Sequence, residues 1–317
     1  MKINSILIGS LLTVSLMASC NNSGSKTGES ESSGGGLFSN KDDDKKEANE
    51  IIAFNNSIVK VNNTQGSAIR TFVSNFDQFE QYVKESNENS SQIVRIAPLM
   101  VFPPIVHDLK GIVYPDGLSK DFKPLVDQLS SSFDAIKEIH KEVSAYKSAE
   151  DWKEDKGKKL VEFREKATAE INKNQDAAAQ IFAKLKPLAD KAEETILEGN
   201  PLKSQFIRSK RLLDLVQETT VMAYEAEDLN KLKADFKKSY SEIEKDYNDN
   251  KSDELPKDYQ SKARTFGMYN DAINEYLGKM RIVQRELDAG TDISETAITS
   301  LDNASQNALR SYNSFVD

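Results

Sequence analysis

The sequence predicts an all-α fold: an elongated antiparallel bundle of long, heptad-patterned helices behind a flexible N-terminal tether. Two observations carry this. Apolar residues return at alternating steps of three and four through most of the chain, the period of helices packed on one another. The breaks in that pattern are short runs of glycine, proline or small polar residues, which end helices. The composition agrees, because the 317 residues are 29% charged and 38% hydrophobic with no single apolar block of membrane-spanning length.

The chain opens on Lys2 and the apolar run "ILIGSLLTVSLMA", which read as the signal peptide of residues 1–19. Leu16, Met17, Ala18, Ser19 and Cys20 then resemble a bacterial lipobox, in which the cysteine receives diacylglycerol, is palmitate-labelled and becomes the mature N-terminus. Cys20 is the only cysteine of the chain, so it has neither a disulfide partner nor a second thiol for metal binding. Lipidation accounts for it, and the acyl chains would anchor the protein without a transmembrane helix. Asn21 is not the aspartate associated with inner-membrane retention, which favours the outer membrane of a bacterial cell envelope, on either its periplasmic or its surface face.

Residues 20–47, rich in Ser, Gly and charge, are expected to be a tether too polar to fold. The Asp42, Asp43, Asp44 run lies beside Lys45 and Lys46 and reads as solvated linker. Residues 48–317 are expected to form a single α-helical bundle domain. Within it, residues 93–118 depart from the helical pattern, since Pro98, Pro103, Pro104 and Pro115 stand among large apolar side chains. Such an insertion must pack on something. Two readings are open: a cap over one end of the bundle, or a partner surface including Phe102 and Ile105.

Beyond it, Phe122, Val126, Leu129, Phe133, Ile136, His140 and Val143 form one stripe. Trp152, in "SAEDWKEDKGKK", is either the anchor of a loop or, if exposed, a partner hot spot. A longer stripe follows from Leu160 through Phe163, Ala167, Ile171, Asn174, Ala178, Ile181, Leu185, Leu188 and Ala192 to Thr195, and predicts a rod of roughly 55 Å. Leu229, Leu232, Phe236, Tyr240, Ile243 and Tyr247 make another stripe. Tyr259, Ala263, Phe266, Asn270, Ile273, Leu277 and Met280 make the next. Breaks are expected at Gly199 to Pro201, near Asp228, in "NDNKSDELP" and from Ala289 to Asp292, giving about seven helices with antiparallel neighbours.

Polar residues fall on or beside these stripes. Phe54-Asn55 precedes Ile58, Tyr269-Asn270 precedes Ile273, and Tyr312-Asn313 precedes Val316. A buried, unpaired amide costs about 1–3 kcal/mol, so the asparagines are expected to bond each other or backbone groups across helices. Asn55, Tyr269, Asn270, Tyr312 and Asn313 therefore read as register-fixing residues, with a ligand-lining cluster as the alternative.

The segments "AFNNSIVKVNN", "AYKSAEDWKEDKGKKLVEFREK" and "NALRSYNSFVD" resemble the YiiG-like bacterial lipoproteins, whose mature region is a domain of unknown function. The similarity spans about Asn49 to the C-terminus and implies a lipid-anchored envelope protein of helical fold. It implies no catalytic or binding residues.

The search for chemistry turns up little. His140 sits on a heptad position without the Glu-x-x-His spacing of di-iron bundles, and reads as a core or boundary residue. His107, beside Asp108, has no cysteine or glycine-flanked serine to activate. "SSGGGLFSN" lacks the Lys-Ser/Thr ending of a phosphate loop. No metal set and no cofactor motif is expected. A net charge of -9 argues against nucleic acid. The expected role is a non-catalytic scaffold or protein-binding module, held to the membrane only through its lipid and serving an unidentified envelope protein or surface ligand. The alternatives are small-molecule or metal binding in a polar pocket of the bundle, or an uncharacterised envelope enzyme.

Overall fold

The structure, a computed structural model, describes residues 39–88, 97–226 and 228–317, with side chains from Asp43 onward. The signal peptide, Cys20 and most of the tether lie outside these residues, as do Ile93 to Ile96 at the start of the proline-rich segment. Among the described residues there is no strand. The helices are α1 (Ser39–Glu88), α2 (Ser119–Ser148), α3 (Trp152–Asp155), α4 (Lys158–Ile196), α5 (Lys203–Glu225), α6 (Leu229–Lys251), α7 (Ala263–Ala289) and α8 (Glu295–Val316). The heptad stripes are the buried faces of these helices, with Phe163, Ile171, Ile181, Leu185, Phe236 and Ile273 all at or near zero exposure.

Two boundaries differ from expectation. Helix α1 starts at Ser39, inside the segment read as tether. The charged run there places Asp42 four residues before Lys46, a spacing that supports a helix. Secondly, residues 48–317 do not form one unit. The chain splits into Asn49–Lys191 and Ala192–Asp317, the latter counted with the N-terminal residues through Ala48.

In the Asn49–Lys191 unit, neighbouring helices are not all antiparallel. Phe54 of α1 packs edge-on against Phe122 of α2 at 5.4 Å, and Phe72 of α1 packs against His140 of α2 at 5.8 Å. Both members of the pair advance by the same number of residues between these contacts, so α1 and α2 run parallel and in register. Helix α4 runs against both: Arg164 pairs with Asp77 and Glu80, while Asn174 reaches Gln65 and the Leu129 carbonyl. Two parallel helices need a connection that travels back along their length, and the proline-rich segment supplies it. It is neither an end cap nor a helix but a strap.

A tight turn joins α2 to α4. Trp152, only 6% exposed, stacks edge-on against Tyr82 at 5.4 Å. It is the turn's anchor and not an exposed partner surface. Tyr146 donates to Asp155 Oδ1 at 2.5 Å, and Asp155 also accepts from the Gly157 amide at 2.8 Å. Gly157 is at φ +80°, where a Cβ would stand 2.6 Å from Val83 Cγ1, so both conformation and space demand glycine.

The Ala192–Asp317 unit carries an up-down-up-down arrangement of α5 to α8. Arg208 of α5 meets Asp253 just beyond α6, Tyr240 of α6 meets Arg281 of α7, and Phe266 of α7 stacks on Phe315 of α8 at 4.9 Å. The predicted breaks mark its turns: Asp228 caps α6 by accepting from the Asn230 and Lys231 amides, and Gly290 ends α7 at φ +70°. The stripe beginning at Tyr259 enters as a 3-10 turn, Lys257–Lys262, before α7 starts. Helix α4 runs from Lys158 to Ile196 through Pro187, about 58 Å at the usual rise, matching the predicted rod.

Candidate functional site

Within the Ala192–Asp317 unit, the heptad pattern of α7 places Tyr269 and Tyr276 one heptad apart on its inner face. Each hydroxyl crosses to α5, where Tyr269 donates to the Ser209 carbonyl at 2.6 Å and Tyr276 to the Val216 carbonyl at 2.9 Å. The two acceptors are also one heptad apart, so the pair clamps α7 to α5 in a single register. Below Tyr269 an amide layer continues the clamp. Ser209 donates to Asn250 Oδ1, Asn250 donates to Asn270 Oδ1 at 3.0 Å, and Asn270 donates to the Phe266 carbonyl at 3.0 Å. Tyr312 of α8 stacks edge-on on Tyr269 at 5.7 Å.

The structure thus brings Tyr269, Asn270 and Tyr312 together and leaves Asn313 half-buried on the same helix as Tyr312. Asn55 is buried on α1 in the other unit and belongs to no common cluster with them. The amides and hydroxyls of the layer bond each other or backbone carbonyls, which is the arrangement of a register lock. Burial pushes the hydroxyls of Tyr269, Tyr276 and Tyr312 upward, with the nearby Asp214 adding to the shift at Tyr269 and Glu193 at Tyr312. A phenol acting as a base or nucleophile needs the opposite shift, so these three tyrosines are neutral, and Tyr269 and Tyr276 act as donors.

Tyr312 stands apart because its hydroxyl is buried and has no hydrogen-bond partner among the described residues. Removing it should remove a penalty. Tyr312→Phe is expected to leave unfolding free energy unchanged or raise it by up to about 1 kcal/mol, whereas Tyr269→Phe should lose about 1 kcal/mol with its bond to Ser209. Urea denaturation of the two variants checks this. A clear loss in Tyr312→Phe would mean that the hydroxyl holds a water.

Sequence reasoning missed the equivalent lock in the Asn49–Lys191 unit. Asn174, on the α4 stripe, donates to Gln65 of α1 at 3.2 Å and to the Leu129 carbonyl and Ser132 hydroxyl of α2 at 3.0 and 3.2 Å. All three side chains are buried. An asparagine on an apolar stripe is the signal that could have found it.

The strap, residues 97–118, lies in the groove between α1 and α2. At one end Asn75 of α1 donates to the Val101 carbonyl at 3.1 Å, and the Phe102 ring packs at 5.8 Å from Phe133 and 5.1 Å from His140 of α2. At the other, Tyr114 packs against Phe54 at 5.4 Å, and Leu109, Ile112 and Leu118 close on the same core. Phe102 and Ile105 are half-buried, and the Phe102 ring, read as part of a partner surface, lies against the bundle. The outward side chains are their neighbours: Leu99, Val101, Val106 and Val113 are 76%, 48%, 77% and 79% exposed. Elsewhere among the described residues, the exposed large apolar side chains are Val161 on α4 and Met268 and Ile282 on α7. His140 is a strap contact: burial lowers its pKa, opposed by a hydrogen bond with the Met100 backbone. His107 is exposed, and Asp108 accepts from the Lys110 amide. Among the described residues, no three His, Cys, Asp or Glu side chains converge on a common metal position.

No family model and no curated relative matches the chain. Solved structures do. An alpha-helical protein from Bacteroides fragilis shares the fold with a TM-score of 0.57 at 14% identity, over 84% of this chain and 98% of that one. An uncharacterized DUF3829-like protein from Bacteroides thetaiotaomicron matches with a TM-score of 0.51 at 15% identity, over 84% and 98%. The fold is theirs. At this identity the likeness speaks to architecture alone, and it shows that the helical arrangement is one that bacterial proteins use.

Proposed function

We infer that the chain is a lipid-anchored lipoprotein of the bacterial cell envelope, related to the YiiG-like lipoproteins, and that it acts as a non-catalytic binding module through the outward face of its strap. The observation that carries this reading is the grouping of Leu99, Val101, Val106 and Val113 in water on one short segment whose inner side is already committed to the bundle. Apolar side chains left out singly need no explanation, but Leu99, Val101 and Val106 fall within eight residues at the Phe102 end of the strap, and a local set of this kind marks a docking surface. Two features support a non-enzymatic role: the side chains of the Ser209, Asn250 and Asn270 layer are occupied in bonding each other and the backbone, and the buried tyrosines are held neutral.

Anchoring rests on Cys20 and the small residues before it. No described helix is long and apolar enough to cross a membrane. Metabolic labelling with a palmitate analogue should tag the wild-type chain, and Cys20→Ala should abolish the label and move the protein to the soluble fraction. An unlabelled wild-type chain that still fractionates with membranes would contradict the anchor.

A further inference from the structure

We propose that the outward face of the strap rests on the lipid bilayer itself, at the depth of the headgroups, so that the membrane and not a protein is its occupant. This rests on the lipid-anchor reading above and names the partner of the same surface.

The chemistry of the strap carries the choice. From Ala97 to Val106 the sequence "APLMVFPPIV" contains no side chain that donates or accepts a hydrogen bond. Protein interfaces favour Trp, Tyr and Arg as anchors at their apolar centre, and Leu99, Val101 and Val106 present none of these. A bilayer needs no directional partner, and aliphatic side chains gain by entering it. What excludes irregular backbone from lipid is the cost of bare N–H and C=O groups. Pro98, Pro103 and Pro104 have no N–H to leave bare, the Val101 carbonyl accepts from Asn75, and the Met100 backbone bonds His140. Full immersion is still forbidden, hence the headgroup depth.

Reach agrees. The 19 residues from Cys20 to Phe38 span at most about 68 Å when fully extended. Along α1, Phe54, which holds the Tyr114 end of the strap, is about 22 Å from Ser39, and Phe72, level with the Phe102 end, is about 50 Å from it. A bilayer holding Cys20 is therefore within range of both ends. Charge sets the kind of lipid: with a net -9 the chain gains nothing from anionic headgroups, and contact should not depend on them.

The test uses the sole cysteine. The mature chain is coupled through Cys20 to maleimide lipid in phosphatidylcholine vesicles, which imposes the anchor chemically and separates this question from acylation in cells. Val106→Trp places an indole on the outward face, and Val161→Trp places one on an exposed α4 position for comparison. Buried Trp152 is present in both and in the wild-type chain as reference. The expected result is that Val106→Trp emits at shorter wavelength on vesicles than in solution and loses most of the added intensity when the lipid is brominated. Val161→Trp and the wild type should do neither, and adding phosphatidylglycerol should change nothing. Emission from Val106→Trp that stays water-like and unquenched on the anchored chain overturns the proposal while leaving the anchor itself intact. So does equal quenching of Val161→Trp, and so does an emission shift that appears only when envelope proteins are added.

Discussion

Phe54→Ala is expected to lower the unfolding free energy by about 3–5 kcal/mol, the usual cost of emptying a buried phenylalanine site. Phe54 is 2% exposed and joins three elements, since its ring meets Phe122 of α2 and Tyr114 of the strap while its backbone belongs to α1. The parallel arrangement of α1 and α2 puts no short turn at that level to compensate. The effect should therefore have two parts: a fall in stability seen by chemical denaturation, and faster proteolytic cutting of the strap near Tyr114 under native conditions. A loss below about 1 kcal/mol would mean that the strap and the two helices are not packed through this ring.

The second large effect is expected at Asn250, which has no exposed surface at all. Asn250→Ala removes the middle of the chain from Ser209 to Asn270 and leaves a buried hydroxyl and a buried amide oxygen without that partner. Each orphaned group costs about 1–3 kcal/mol, so a total of about 2–6 kcal/mol is expected in urea denaturation. Removing the whole layer should cost far less. Ser209→Ala with Asn250→Leu and Asn270→Leu is expected to be close to neutral in stability, because no polar group is then stranded. What the triple variant should lose is uniqueness of register between α5, α6 and α7, visible as broadened amide resonances. An Asn250→Ala chain as stable as wild type would mean that the layer is not a lock.

How much of this was legible in the sequence follows from which physical signals are local. The stripes through Phe163, Ile181, Phe236 and Ile273 read correctly because burial on a helix is periodic, and the breaks at Gly199 to Pro201 and Ala289 to Asp292 read correctly because glycine and proline act on their own backbone. The direction of α2 relative to α1 was not legible. A connection of about thirty residues permits either sense, and only the match of Phe54 with Phe122 and Phe72 with His140 decides it. Asn250 was hidden for a different reason: it sits in "NDNKSDELP", whose composition announces the end of a helix, yet it occupies the last turn of α6 and faces inward. The Tyr269, Asn270 and Tyr312 pattern was visible as recurring polar residues on apolar stripes. Its division from Asn55 was not, because the same short pattern recurs in both units. In the strap, apolar composition pointed to contact, but the alternation between Phe102 turned in and Val106 turned out is a property of the extended path over α1 and α2.

The central claim is that the outward face of the strap is covered in the cell while the inward face holds the fold. Protease protection of the strap in intact envelopes tests it most directly, with wild type beside Val106→Asp. An exposed substitution of this kind should change stability by no more than about 0.5 kcal/mol, so both chains should melt alike. The account predicts that the wild-type strap is cut slowly in envelopes and quickly after release by detergent, while Val106→Asp is cut quickly in both. A wild-type strap cut at one rate in both settings would contradict it.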